Sequence, residues 1–476
     1  MVYLPHWPIP SSFGKREINY ETVFLRMQEV LQKLDNPQQK LPPVIHITGT
    51  NGKGSTLAFL AAILQASGLK IHSYTSPHLH DCNERILLNG EKISDNFLFE
   101  NMEEARIAAA ATPLTFFEGF TIGAFLAFSK VPADLLLIET GMGTRIDATN
   151  IIAEKLATII APISFDHTEY LGDSIAKIAF EKAHIIRPQT PVIIGPQPKQ
   201  AQEIIELIAQ DQNAPMIRYD KEFAIILDEE NGSFDLTFFT ENLQKNNSDF
   251  EKKFRKNSAE NSTTKIELLN LPSPALAGQH QYINAATAIA AALSLPFAIT
   301  QKQIELGLAR VQWPSRLEKV TNNLYKILQN SASEIFLDGA HNQAGAFAIA
   351  RFLMEEKKRD LEIYQRNFTA EEKFTPKKTF VICGFTKNKC RPQFLENFIG
   401  VADEMVAIRV DGEPNPEDAE VISKIATEIG LPAKACNDLL DAIYYLKKLS
   451  DNMPCRIVIC GSLHLARDVK KFGAKI

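Results

Sequence analysis

Val23, Met27, Val30, Leu31 and Leu34 recur at helical spacing and predict a helix over residues 20–34, closed by a turn at Asn36 and Pro37. The pattern then changes to short apolar runs alternating with helical stretches. Residues 43–48, 70–74, 134–139, 156–163 and 191–195 read as buried strands of a parallel α/β sheet. Residues 223–239 alternate apolar and polar positions around Asn231 and Gly232, the pattern of a hairpin. Residues 245–265, rich in Asn, Ser, Lys and Glu, hold too little apolar content to pack and predict a surface excursion. An Ala-rich helix is expected over 277–293. A second α/β series follows, with strands expected at 334–338, 379–384, 404–410 and 456–461 and a long loop within the polar stretch 355–378. The two series need separate sheets, so a boundary is placed near Ile299, giving domains of residues 1–298 and 299–476.

A chain of 476 residues with 45% apolar content exceeds the size of one economical core, consistent with more than one domain. The formal net charge of -6 argues against nucleic acid or an anionic membrane as partner. Any phosphate must therefore be held by local geometry. The cysteines Cys82, Cys383, Cys390, Cys436, Cys455 and Cys460 form no CxxC pair, which indicates neither a disulfide framework nor a thiolate zinc site. No apolar run reaches membrane-spanning length, and a cytoplasmic protein is expected.

The most informative segment is the run from a buried strand into Gly49, Thr50, Asn51, Gly52, Lys53, Gly54, Ser55 and Thr56, followed by a helix faced by Leu57, Leu60, Ala61 and Leu64. Glycines let backbone amides approach phosphate oxygens, the helix N-terminus adds positive potential, Lys53 adds a cation and Ser55 can ligate Mg²⁺. The spacing differs from the common P-loop because Gly54 stands between the Lys and the Ser. A plain glycine turn would require neither of those side chains. The fold class expected is thus α/β: an N-terminal P-loop ATPase-like domain with a largely parallel sheet, and a smaller C-terminal Rossmann-like α/β domain.

Glu139 ends an apolar strand ahead of Gly141 and Gly143, so it emerges at the carboxyl edge where open α/β folds bind ligands. Ser164, Asp166 and His167 follow the next strand. Carboxylate, hydroxyl and imidazole together could complete a Mg²⁺ shell, although Mg²⁺ prefers oxygen. Taken alone, Glu139 also reads as a solvated loop acid, and Lys182, within Ala179-Phe180-Glu181-Lys182-Ala183, as a solvent-facing helical lysine.

These blocks, in this order, resemble the folylpolyglutamate synthase and dihydrofolate synthase family, a branch of the Mur ligases. The resemblance extends through Ser76-Pro77-His78-Leu79 with Glu84, Arg85 and Ile86; Arg145 and Asp147 to Asn150; Asp166 and His167; Glu181-Lys182-Ala183; Gly278, His280, Gln281 and Asn284; Trp313, Pro314 and Arg316; and Asp338 to Asn342. It implies that Thr50, Asn51, Gly52, Lys53, Gly54, Ser55 and Thr56 hold ATP phosphates. It implies further that Ser55 and Glu139 hold one Mg²⁺ and that Ser76, Glu139 and His167 hold a second. Lys182 is expected to be carbamylated. Asn284 and Arg316 are expected to contact the nucleotide, with Asp338 and His341 reaching it across the domain cleft, and Thr115, Phe117, Asp147 and Ala148 to lie near the pterin. The catalytic set so implied is Lys53, Lys182 and His341, in a monomeric ligase joining L-glutamate to dihydropteroate and to folates. Thr144 and His184 stand where the family commonly has Gly. Asn388, Lys389 and Cys390 replace an Asp-Lys-Asp run, so no role is carried onto them.

Rival readings are a Mur-type ligase for a nucleotide-linked cell-wall precursor, a P-loop kinase or switch, and an idle binding module. The Ser76 to Leu79 block and the length favour folate over the first. Only an amide ligase requires an amine for ATP turnover, and an idle module would not keep Lys53 and Glu139.

Overall fold

The computed structural model describes residues 20–229, 231–239, 265–367, 376–387, 391–410, 415–451 and 453–472. The surface excursion expected over 245–265 lies outside the described residues except for Lys265, which opens a strand, and the run Asn388 to Cys390 lies outside them too. The chain forms two compact units, one comprising residues up to Ala275 together with Gln281–Gln312, the other Leu276–His280 together with the chain from Trp313.

The first unit is built on an eight-stranded sheet. Its strands are β1 (Val44–Thr48), β2 (Ile71–Tyr74), β3 (Ile86–Leu88), β4 (Glu91–Lys92), β5 (Leu135–Glu139), β6 (Ala157–Ile160), β7 (Val192–Ile194) and β8 (Met216–Arg218). The order is β4-β3-β2-β5-β1-β6-β7-β8. Only the β2–β3 and β3–β4 pairs are antiparallel. The central strands β1, β5, β6 and β7 are buried at every position, as the unbroken apolar runs predict for a parallel sheet covered on both faces. Because β2, β5, β1 and β6 are adjacent and parallel, the segments leaving their carboxyl ends emerge side by side. Glu139 is in register with Ile47 and Thr48 with Ile160, so the phosphate-loop candidate and the acid leave the sheet at one level.

The hairpin expected over 223–239 is present as β9 (Phe223–Asp228) and β10 (Ser233–Phe239), joined by β11 (Lys265–Pro272) in a three-stranded antiparallel sheet. The Ala-rich helix begins at His280 and runs to Ser294. Helix Gln301–Arg310, which the sequence reading puts beyond its boundary near Ile299, belongs to the first unit. A Cβ on Gly307 would stand 2.6 Å from Ile63 Cγ1 and 2.7 Å from its backbone nitrogen, so this helix packs on Lys53–Ala66 at a separation only glycine permits.

The second unit carries a six-stranded sheet of order β12-β13-β17-β14-β15-β16, formed by β12 (Glu318–Lys319), β13 (Glu334–Leu337), β14 (Lys378–Cys383), β15 (Glu404–Ala407), β16 (Ala433–Ala435) and β17 (Cys455–Cys460). All pairs but β12–β13 are parallel. The long loop expected within 355–378 is corrected over its described first part: helix Gln343–Asn367 continues through it. Its polar residues are not all solvent-facing. Glu356 and Asp360 turn inward to Arg456, whose side chain is 1% exposed, at 3.2 Å each.

Candidate active site

Between β1 and helix Lys53–Ala66 the chain makes a tight loop whose shape depends on two glycines. Gly49 has φ +144°, and a Cβ there would meet Ala161 Cβ at 2.7 Å; Gly52 has φ +85°, and its Cβ would collide with the Asn284 carboxamide oxygen. Either substitution would open the loop. Thr50 and Asn51 donate their amides to Pro162 O at 3.0 and 3.2 Å. Ser164 completes the clasp. Its amide donates to Thr50 Oγ1 at 3.1 Å, and its hydroxyl accepts from Asn51 Nδ2 at 3.0 Å. The first helix amide to find a carbonyl is that of Thr56, donating to Gly52 at 2.8 Å. The amides before it have no intrahelical acceptor, which makes this end of the helix suited to an anion.

Two lysines converge on one carbonyl. Lys53 Nζ donates to Gly49 O and Thr50 O, both at 3.2 Å, and lies 4.0 Å from Glu139 Oε1. Lys182 Nζ donates to Gly49 O at 2.8 Å from a buried position, so the solvent-facing reading of this residue taken alone is corrected. Burial, reinforced by the Lys53 charge, pushes its pKa down to about 7. Glu139 is buried too, and its second oxygen accepts from the Ser76 amide at 3.4 Å. Ser55 is buried beside them in the first helical turn. His167, with φ 49°, opens the short helix Thr168–Leu171 with Nε2 3.9 Å from Asp166 Oδ2. The clasp through Ser164 ties its loop to the phosphate-loop candidate. Among the described residues no group of three or more His, Cys, Asp or Glu could hold a metal ion by itself. Hydroxyl and carboxylate oxygens, completed by phosphate oxygens, are the donors Mg²⁺ takes, and Ser55 in the first helical turn, Ser76 past the end of β2 and Glu139 at the end of β5 are residues of that kind.

Phe117 and Asp147 meet over Gly141, where a Cβ would lie 2.9 Å from Phe117 Cζ and 3.2 Å from Asp147 Oδ2. Ala148 is buried at the start of the 3-10 turn Ala148–Ile151. Thr115 is occupied as a helix cap. Its hydroxyl accepts from the Glu118 amide at 3.2 Å, its own amide donates to Glu118 Oε2 at 2.9 Å, and Arg26 Nε holds the same oxygen at 3.0 Å. Thr144, the departure from the family's glycine, puts its hydroxyl 2.8 Å from Thr48 Oγ1, and Thr140 donates to the same atom at 3.1 Å. The extra side chain thus knits the ends of β1 and β5 together.

Asn284 donates to Gln281 Oε1 at 2.9 Å, which aims its carbonyl at Gly52. In the second unit Asp338 leaves the carboxyl end of β13 and accepts the amides of Leu317 and Ala340, both at 2.8 Å. Burial holds its carboxyl above the usual range. Arg316 donates to Ser315 O at 2.8 Å and packs where a Gly339 Cβ would stand. His341 donates from Nδ1 to Gly339 O at 3.0 Å. Arg316, Asp338 and His341 therefore form a group of their own around Gly339. Sequence reasoning missed Gln281 as the partner that orients Asn284, and His46 and Lys155 as polar groups in the core. Nothing in the apolar pattern around His46 or Lys155 marks them.

The sequence profile of the Mur ligase middle domain matches residues 47–292, and that of the dihydrofolate synthetase C-terminal domain matches residues 321–472. A dihydrofolate synthase/folylpolyglutamate synthase of Bacillus subtilis is 32% identical over 69% of this chain and 71% of its own length. The chain belongs to the dihydrofolate synthase/folylpolyglutamate synthase family of Mur-type ATP-dependent ligases. The Haemophilus influenzae member is 29% identical over 92% of this chain and 90% of its own. Among solved structures, the Mycobacterium tuberculosis folylpolyglutamate synthase complexed with ADP is similar with a TM-score of 0.78, 28% identity and coverage of 97% and 96% of the two chains. Among the described residues no helix is long and apolar enough to cross a membrane.

Proposed function

We propose that this chain uses ATP to join L-glutamate in amide linkage to the carboxylate of dihydropteroate and to the glutamyl tails of folates. The observation that carries the reading is the convergence of an open helix N-terminus, Lys53 and Glu139 at one edge of the sheet. A carboxylate is a poor electrophile. The loop amides and Lys53 neutralise the β- and γ-phosphates, the γ-phosphoryl passes to the substrate carboxylate, and ADP leaves with the negative charge stabilised where it develops. The glutamate amine then attacks the acyl carbon, the C–O bond to phosphate breaks, and the amide remains. Two Mg²⁺ ions, held by Ser55 and Glu139 and by Ser76, Glu139 and His167, would supply charge neutralisation across the phosphates.

Lys182 fits carbamylation because burial and its cationic neighbour favour the neutral amine near pH 7. Addition of CO₂ forms the N–C bond and releases a proton, turning a lysine into a carboxylate beside the metal residues. Asn284, with Arg316, Asp338 and His341, serves the nucleotide. The pterin lies beside Phe117 and the Asp147–Ala148 segment, with Thr115 shaping that wall as the cap of its helix. The enzyme works as a cytoplasmic monomer.

The test is ADP release by the purified protein with dihydropteroate and, separately, with tetrahydrofolate. Release in both cases, and only with L-glutamate present, is expected. ADP formed with neither pterin ends the folate reading; glutamate-independent ADP formation points to a kinase.

A further inference from the structure

His46 sits mid-strand in β1, fully buried, opposite Ile138 on β5 and Thr158 on β6. Its Nε2 lies 2.8 Å from Thr149 Oγ1. That hydroxyl already donates its single proton to Asp147 Oδ1 at 2.5 Å. Toward His46 it can only accept, so the imidazole carries its proton on Nε2. Nδ1 is then an acceptor, buried and with no partner among the described residues. Burial and the nearby Lys155 and Arg187 charges hold the ring neutral.

Asp147 is fully engaged by its own chain. Oδ1 accepts the Thr149 amide at 3.0 Å and the Thr149 hydroxyl, and Oδ2 accepts the amides of Gly141 and Met142 at 2.8 and 3.1 Å. The carboxylate thereby pins the turn after β5 to the turn at Ala148–Ile151, shaping the wall opposite Phe117. Burying an imidazole with one nitrogen unsatisfied costs stability that a leucine here would not. A gain must offset that cost, and the side-chain bond His46 makes among the described residues is the one that orients the Thr149 hydroxyl onto Asp147.

We infer that His46 is a positioning residue for the pterin: through Thr149 it fixes the Asp147 segment to β1, the strand that also delivers the phosphate loop at Gly49. The inference rests on the proposed placement of the pterin beside Phe117 and Asp147. Thr149→Val and His46→Leu should each raise KM for dihydropteroate about tenfold, the loss of roughly one well-placed hydrogen bond. KM for ATP should move less than about twofold. Thr149→Ser and His46→Gln, which keep a hydroxyl and a terminal N–H, should recover most of the loss. Because both residues act along one line, the double variant should be no worse than Thr149→Val alone.

Asp147→Ala separates the two ideas. If it leaves KM for dihydropteroate unchanged, the pterin placement fails and the inference with it. If it raises that KM while Thr149→Val does not, only the role of His46 is overturned. Equal rises in both KM values, or additivity in the double variant, also overturn it by reducing the pair to general packing. Should His46→Leu not fold, Thr149→Val, which leaves β1 untouched, carries the same decision.

Discussion

Replacing Lys53 with alanine is expected to lower kcat by about a thousandfold, the magnitude typical of removing a group aimed at developing charge. Among the described residues the ammonium contacts Gly49 O, Thr50 O and, at 4.0 Å, Glu139 Oε1. None of these carries the fold. Gly49 O keeps its bond from Lys182, and Thr50 remains clasped to Pro162 and Ser164. Thermal unfolding should therefore change little, while single-turnover transfer of the γ-phosphoryl slows with kcat. A variant with near-parental single-turnover rates would remove the loop cation from the chemistry.

Lys182→Ala should cost about a hundredfold or more in kcat, through a different route. Here the side chain is buried and bonded to the loop that Lys53 covers, and its pKa is pushed down to about 7, which on the proposed carbamylation would leave the neutral amine to take up CO₂. Below that pH the ammonium form prevails and cannot form a carbamate; above it the neutral amine prevails. Turnover of the parent enzyme at low bicarbonate should accordingly fall as pH drops through about 7, and added bicarbonate should restore part of it. The alanine variant should lack both responses. Lys182→Arg, which keeps the positive charge but cannot form the carbamate, should resemble alanine; if it turns over normally, the residue acts only as a cation. Kinetics across pH, with and without bicarbonate, read this out directly.

Much of the catalytic edge was legible because buried parallel strands write themselves as unbroken apolar runs, and their carboxyl ends are where ligand chemistry gathers. Thr48, Glu139 and the loop from Gly49 were placed correctly at that edge on this ground. Lys182 reads as solvent-facing from its neighbours alone and enters the site only through the family resemblance, although the pattern itself carries a signal: Ile178, Ala179, Lys182 and Ala183 fall three and four apart and share one buried face of helix Ile175–Ala183. The lysine occupies a core position in the pattern. The helix through residue 367 was hidden for the opposite reason. Glu356 and Asp360 take inward positions to pair with Arg456, so the apolar periodicity lapses where charge rather than hydrophobicity holds the helix down. His46 left no mark in the sequence, since one imidazole in an apolar strand looks like any other core residue until its partner, 103 positions away, is known.

The central claim is that a substrate carboxylate is phosphorylated and then captured by an amine. Its most direct test is to supply dihydropteroate labelled with ¹⁸O in its carboxylate, together with ATP and L-glutamate, and to weigh the phosphate released. The account predicts one ¹⁸O in each phosphate, with ADP as the nucleotide product. Phosphate free of the label, or AMP and pyrophosphate in place of ADP, would contradict it.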